Sequence, residues 1–402
     1  MSLFTLFLLA TLYQCWFLIF VFPRAFGSPE EVDDFGYHHC SAWPEEGRGS
    51  SAQELIEPDS SADIAPPVSV IICCRNEAER LAKYLSLILE QDYPNFEVVV
   101  VDDFSSDSTA KVVADLQCSY DKLRLVRPEK PTRPGKKDAL TFGIVQARHS
   151  ILLLTDADCA PVSHHWIREM AGPFQLDTIE LVIGYSPYRR RSDWLNLFQR
   201  FETTYTAFQY LGLARIGLPY MAVGRNVAYR KTFFQRAGGL ESHAHLAGGD
   251  DDLLVSHHAR SEATAIVTHS AARTISDPAT DWLDYWQRKM RHVGVGVAYP
   301  FLPKFLIGGL ALSHLLWYGL MFYGVLAGEI TPWWLGLIVL RLLLVCWNYG
   351  FRNGKENAGE QTTFFVKVSG VTGIFLGDFI LCFYYLFTAP ALLVGGSKGG
   401  WS

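Results

Sequence analysis

The chain has 402 residues, 49% of them hydrophobic, and 35 Lys and Arg against 41 Asp and Glu leave it a net charge of −6. That is long enough for more than one domain, too apolar for an ordinary soluble enzyme, and too acidic for a general electrostatic hold on nucleic acid. The eight cysteines (Cys15, Cys40, Cys73, Cys74, Cys118, Cys159, Cys346 and Cys382) are scattered without a CxxC spacing, which excludes a zinc or disulfide framework and suits a reducing compartment.

In chain order, residues 3–22 form the first apolar stretch, close to the ~20 residues a spanning helix needs. Its length and the lack of a basic segment before it favour a retained anchor, residues 1–23, over a cleaved signal peptide. Residues 24–66, rich in Pro, Glu, Asp and Ser, are expected to be a linker. A domain of soluble character is expected over 67–300, followed by a helical bundle over 301–395 with spans at 301–327, 333–349 and 371–394, and a tail at 396–402. Basic residues set the orientation: Arg24 follows the first span and none precedes it, so the domain is expected in the cytoplasm. The loop 328–332 has no basic residue and is expected outside, whereas Arg352, Lys355 and Lys367 place the next loop inside.

The soluble region opens with an apolar run from Val68 to Cys74 that breaks into Arg75, Asn76 and Glu77. Leu81, Tyr84, Leu85, Ile88 and Leu89 then repeat at helical spacing, and a second apolar run, 96–101, ends in Asp102 and Asp103. Strand, helix and strand of this kind make a parallel βαβ unit with a crevice at the strand ends. No GxGxxG follows the first strand, which argues against a dinucleotide cofactor. A third run, Ile151 to Leu154, ends in Thr155, Asp156, Ala157 and Asp158. Two carboxylates one residue apart at a strand end suit a Mg²⁺ or Mn²⁺ ion shared with substrate phosphates, although a solvated turn has the same composition.

Further along, Trp194, Leu197, Phe198, Phe201, Tyr205 and Phe208 recur at helical spacing, as core or as the lining of a path for a lipid. Asp250, Asp251 and Asp252 open a helix that continues through Leu253, Leu254 and Val255, where carboxylates also favour the helix dipole. Trp282, Tyr285 and Trp286 with Arg288, Lys289 and Arg291 read as an interfacial helix ahead of the second span. Arg341 and Asp378 stand at similar depth in two spans and are able to pair. The sequence offers no convincing Ser/His/Asp or Cys/His nucleophile arrangement.

In order, Val68 to Glu77, Val98 to Asp103 with Ser105, Asp107 and Ser108, Gly135-Lys136-Lys137-Asp138-Ala139-Leu140, Asp156-Ala157-Asp158, Gly224 to Arg230 and Gly248 to Leu253 resemble the inverting glycosyltransferases of family 2. The resemblance covers roughly residues 66 to 300 and implies an α/β GT-A domain with one membrane helix before it and three after. It implies that Asp103 meets the nucleotide base and Glu77 the ribose, that Lys136 lies on the diphosphate side, and that Asp156 lies near donor sugar and diphosphate. By the same resemblance Asp158 ligates Mg²⁺ or Mn²⁺, Asp250 is the general base, Arg291 meets the diphosphate, and Gly249 is a departure from the family pattern. His292 stands where processive members have a tryptophan, which weighs against a polymerase. The implied protein is an enzyme of the cytoplasmic (inner) membrane that moves sugar from a UDP-sugar to a lipid or lipid-linked glycan. A processive polysaccharide synthase and a catalytically dead nucleotide-binding scaffold are the alternatives.

Overall fold

The computed structural model describes residues 2–26, 65–130, 136–244, 246, 248–351 and 370–394. Most of the expected linker, Gly135, the loop bearing Arg352, Lys355 and Lys367, and the tail lie outside the described residues.

The soluble domain is built on a seven-stranded sheet. Its strands are β1 (Val68–Cys74), β2 (Phe96–Asp102), β3 (Leu123–Val126), β4 (Ile151–Asp156), β6 (Leu181–Ile183), β7 (Val227–Arg230) and β8 (Thr264–Ile266), in the spatial order β3-β2-β1-β4-β7-β6-β8. β5 (Cys159–Pro161) and β9 (Thr274–Ser276) form a separate antiparallel ribbon. β1 pairs in parallel with both β2 and β4, and all three are covered on both faces, which is why they read as unbroken apolar runs rather than alternating ones. The register is level at their carboxyl ends: Cys74 lies opposite Asp102, and Cys73 opposite Asp156. The loops that follow β1, β2 and β4 therefore open side by side. β7 runs antiparallel to β4 and continues the sheet on that side toward β6 and β8.

On one face, α2 (Ala78–Leu89), α3 (Thr109–Gln117) and α5 (Trp166–Ala171) bury Leu81, Leu85, Ile88, Val113, Trp166 and Met170 against the sheet. On the other lie α4 (Lys137–Gln146), α6 (Trp194–Arg215), α7 (Lys231–Arg236) and α8 (Asp252–His258). α9 (Trp282–Val295) follows and leads into the membrane helices.

Four helical stretches, Leu3–Arg24, Phe301–Ala327, Pro332–Tyr349 and Gly373–Pro390, are long and apolar enough to cross a membrane. They contain α1 (Leu3–Trp16), α10 (Phe301–Ala327), α11 (Pro332–Cys346) and most of α12 (Gly370–Val394). Phe201, Tyr205 and Phe208 of the aromatic stripe of α6 face this bundle, whereas Trp194 at its start is exposed. Phe201 stacks on Tyr349 with centroids 4.8 Å apart, Phe208 stacks on Phe22 at 5.4 Å, and Tyr205 meets the edge of Phe22 at 5.5 Å. Residues 24–26, expected in the linker, continue this contact: Ala25 is fully buried, and Phe26 packs edge-on against Tyr185 at 5.1 Å. Domain and bundle thus share one hydrophobic core.

Arg341 and Asp378 do pair, with Nη1 2.5 Å from Oδ2 and Nη2 3.1 Å from Oδ1, both side chains 2% exposed. Tyr318 donates to Asp378 Oδ2 at 2.6 Å, Arg341 Nε donates to Gln14 Oε1 at 2.6 Å, and the guanidinium lies 4.4 Å from the ring centre of Trp317. One polar knot therefore ties α1, α10, α11 and α12. Removing one partner of a buried ion pair strands the other charge at a cost of about 3–5 kcal/mol. Arg341→Ala and Asp378→Ala are each expected to destabilise the bundle by that order, and the double variant by less than their sum. Thermal unfolding of the four proteins in detergent checks this, and additive losses would refute the coupling.

Candidate active site

The cleft forms where the three level strands end. After β1 the chain turns at Asn76 (φ 56°), and after β2 at Phe104 (φ 57°), both in the left-handed region that non-glycine residues enter mainly where neighbours enforce it. The two loops are stitched together: Asn76 N–H donates to Ser105 Oγ at 2.9 Å, Ser106 N–H to Asn76 Oδ1 at 2.8 Å, and Glu77 N–H to Thr109 Oγ1 at 2.9 Å. Asp103 is buried at the end of β2, its N–H bonded to the Cys74 carbonyl at 2.9 Å. Glu77 pairs with Arg80 at 2.7 Å. Burial, then the negative charges of Asp158 and Asp156, raise the Glu77 pKa against the pull of Arg80. Glu77 thus shares the electrostatic field of the β4 carboxylates.

Lys136, the residue before α4, forms an ion pair with Asp156. Burial works to lower the Lys136 pKa, but the charges of Asp156 and Asp250 outweigh it and push it well above the ordinary value. Burial likewise works to raise Asp156, yet Lys136 and Arg225 hold it below the usual carboxylate range. Among the described residues Asp158 has no ion-pair partner, and burial followed by the charge of Asp156 pushes it up against Arg225 and Arg80.

Asp250 reaches this group through a tight backbone. Gly249 has φ +86°, and a Cβ there would come within 2.9 Å of both Leu253 and Val295, so the position expected to be a mere departure from the family pattern admits glycine alone. The three following carboxylates separate by partner. Asp251 caps α8, accepting from Asp252 N–H at 3.0 Å and from Gly224 N–H. A Cβ on Gly224 would lie 2.9 Å from that same Asp251 oxygen. Asp252 accepts from the Tyr299 hydroxyl at 3.0 Å. Among the described residues none donates a hydrogen bond to the Asp250 carboxylate.

α9 brings cations to the same cleft. Lys289 pairs with the buried Glu202 of α6 at 2.5 Å, and Arg288 pairs with Asp284 at 2.7 Å. Burial and the adjoining charge of Arg288 lower the Arg291 pKa, with Asp250 opposing. His292, on the same helix, is exposed. Desolvation, then Lys289, Arg291 and Arg225, lower its pKa and favour the neutral imidazole.

Sequence reasoning passed over Arg225. Its Nη2 donates to the Ser186 carbonyl at 2.9 Å, and its guanidinium lies 4.6 Å from the Tyr188 ring centre. Burial works to lower its pKa, but the negative groups around it, Asp158 and Asp156 among them, keep it raised. Asp277 was also missed, and it holds Tyr84 at 2.8 Å and Arg189 at 3.0 Å. Arg225 lies inside the Gly224–Arg230 motif without its charge being assigned a role there, and Asp277 lies in no motif; each meets its partners only through a distant segment. Among the described residues no three or more His, Cys, Asp or Glu side chains gather as a metal cage. Asp156 and Asp158, two half-buried carboxylates one residue apart, suit instead a Mg²⁺ or Mn²⁺ ion of the kind held by only one or two carboxylates.

The family model described as "Glycosyltransferase like family 2" matches residues 66–294. The glycosyltransferase AglE of Haloferax volcanii is 34% identical over 121 residues, 30% of this chain and 39% of that protein. The beta-monoglucosyldiacylglycerol synthase of Trichormus variabilis is 32% identical over 119 residues, 29% of this chain and 25% of that protein. The chain thus spans well under half the length of these curated relatives. Among solved structures, the mannosyltransferase PcManGT of Pyrobaculum calidifontis, in complex with GDP-Man and Mn²⁺, aligns with 98% of this chain and 99% of its own at a TM-score of 0.54 and 18% identity. At that identity the likeness is one of fold, and the fold is GT-A joined to apolar helices.

Burial and the charge of Asp250 raise the Asp251 pKa from 3.8 to about 7, against Lys136 and the Gly224 N–H. The folded protein then keeps a proton that the unfolded chain releases near pH 3.8. Stability from this group is fully present below that pH and is lost as pH rises toward about 7. Asp251→Asn is expected to flatten this part of the stability profile, as measured by thermal unfolding between pH 4 and pH 8.

Proposed function

Because the chain belongs to glycosyltransferase family 2, we propose that it is a membrane-bound inverting enzyme transferring sugar from a UDP-sugar to the hydroxyl of a lipid or lipid-linked glycan. The observation that carries this reading is the contrast within Asp250-Asp251-Asp252: the second and third carboxylates are spent on Gly224, Asp252 N–H and Tyr299, while the first accepts from none of the described residues. A general base needs such an uncommitted carboxylate.

In this reading Asp250 takes the acceptor hydroxyl's proton as its oxygen bonds to the anomeric carbon. The bond to the diphosphate breaks on the opposite face, and its electron pair leaves with the diphosphate. No enzyme nucleophile is needed. Lys136, Arg291 and Arg225 supply positive charge to the leaving group, while Glu77 and Asp103 hold the ribose and the base. Mg²⁺ or Mn²⁺ bound at Asp158 would neutralise diphosphate charge as it develops. Asp156, held ionised by Lys136, adds a second oxygen donor beside it. A lipid acceptor is supported by the packing of α6 and α9 on the membrane helices, where Trp286 meets Phe387 at 5.9 Å. The lipid named by the Trichormus relative points the same way. The basic-residue asymmetry around Leu3–Arg24 supports a cytoplasmic domain at the inner membrane.

Asp250→Asn is expected to keep nucleotide binding and to lose turnover by about 10² to 10⁴. Normal turnover in that variant with a dead Asp251→Asn or Asp252→Asn would move the base to a neighbour. Asp158→Ala is expected to abolish both transfer and divalent-dependent nucleotide binding while the protein still melts cooperatively, and full activity in EDTA would refute the metal. Labelled nucleotide sugar fed to membranes is expected to yield labelled lipid. Label in high-mass polymer would mark a processive synthase, and no transfer or hydrolysis by purified protein a scaffold.

A further inference from the structure

Asp158 sits on the two-residue turn between β4 and β5, and a segment more than a hundred residues away folds back onto it. In the β5–β9 ribbon Cys159 lies opposite Ser276. The Ser276 hydroxyl donates to Asp158 Oδ1 at 3.2 Å, and the Cys159 thiol donates to the same oxygen at 3.2 Å. Asp277 N–H holds the Asp158 carbonyl at 3.2 Å. Ser276 is 1% exposed and Cys159 fully buried, so neither donor is exchanged for water in the folded protein. Among the described residues nothing donates to Oδ2.

We infer that Ser276, seconded by Cys159, restricts Asp158 to coordination through one oxygen and thereby makes the site discriminate Mg²⁺ and Mn²⁺ from Ca²⁺. This rests on the metal reading proposed above. The physical ground is the difference between the ions. Mg²⁺ demands six near-ideal ligands at about 2.0–2.1 Å and takes single carboxylate oxygens, whereas Ca²⁺ takes about 6–8 oxygens at longer range and often both oxygens of one carboxylate. A carboxylate with Oδ1 committed to two buried donors offers Ca²⁺ no second contact. Ser276 is a positioning residue in this scheme, since it acts through Asp158 and touches neither substrate nor reacting atoms. The β5–β9 ribbon, paired separately from the central sheet, then has a chemical purpose: it delivers Ser276 to the DxD turn.

The test is Mn²⁺ binding to the full-length protein in detergent with UDP present, read from the electron paramagnetic resonance of free Mn²⁺ and competed with Mg²⁺ or Ca²⁺. Wild-type protein is expected to bind Mn²⁺ and to resist displacement by Ca²⁺. In Ser276→Ala the Mn²⁺ affinity should fall by about tenfold, within the range found for outer-sphere partners, and Ca²⁺ should become a relatively better competitor. Cys159→Ala should shift the Ca²⁺/Mn²⁺ ratio in the same direction by less, and Ser276→Thr, which keeps the hydroxyl, should restore it. If Ser276→Ala and Cys159→Ala both melt like wild type and keep the wild-type affinity and ratio, the inference is overturned. Loss of Mn²⁺ binding in Asp158→Asn alongside an unchanged Ser276→Ala overturns this inference alone. Absence of UDP-dependent Mn²⁺ binding by the wild type overturns the metal reading and this inference together.

Discussion

The ion pair of Lys136 with Asp156 is the interaction on which the cleft depends. The level ends of β1, β2 and β4 bring Glu77, Asp103, Asp156 and Asp158 together, and the α8 cap adds Asp250 and its neighbours. So many carboxylates in a partly dehydrated place repel one another, and each pays for losing water. Lys136 answers both costs for Asp156 at once and is itself held charged by Asp156 and Asp250. Arg225 does the same from below, with its guanidinium fixed by the Ser186 carbonyl and the Tyr188 ring. The cleft is thus assembled from clustered carboxylates set against the cations Lys136 and Arg225.

What was legible in the sequence is what is local. β1, β2 and β4 announce themselves as apolar runs because both faces of a central parallel strand are covered, and the acids that end them stand at the register where parallel strands place ligands. The membrane helices are equally local, since length and apolarity alone define them. Other features depend on segments that meet only in the fold. β6, β7 and β8 are short and paired across long separations, so no period marks them. Arg225 is legible as a member of the Gly224–Arg230 motif, but its place beside Tyr188 and the β4 carboxylates is not. Ser276 is invisible until β9 pairs with β5. Gly249 is readable as a glycine but not as an obligatory one, because its constraint comes from Val295 on a helix more than forty residues away.

The aromatic stripe of α6 shows how one pattern serves two layers. Its spacing identified a buried helical face, yet only the structure shows that the partners are Phe22 and Tyr349, at the ends of two membrane-crossing stretches. Burying aromatic side chains of this size yields on the order of 1.5–3 kcal/mol each, and more where rings stack, so the domain is fixed on the bundle rather than tethered to it. The Lys289–Glu202 pair extends that fixation to α9, the helix carrying Arg291 and His292. The cleft therefore keeps a set position relative to the four apolar helices.

Two groups of buried charge in one chain make the final comparison. In the bundle, Asp378 has both oxygens bonded, to Arg341 and to Tyr318, and Arg341 is further held by Gln14 and the face of Trp317. A network satisfied to that extent has nothing left to offer a ligand and is a device for fixing helix positions. In the cleft the satisfaction stops short. Asp251 has both oxygens bonded and Asp252 one, held by Tyr299, whereas Asp250 and one oxygen of Asp158 accept from none of the described residues. Both residues are half-buried, so these oxygens are open to the cleft, where a ligand from outside can reach them. The difference between structural and chemical charge in this protein is not the number of ionised groups but which of their lone pairs the fold leaves unspent.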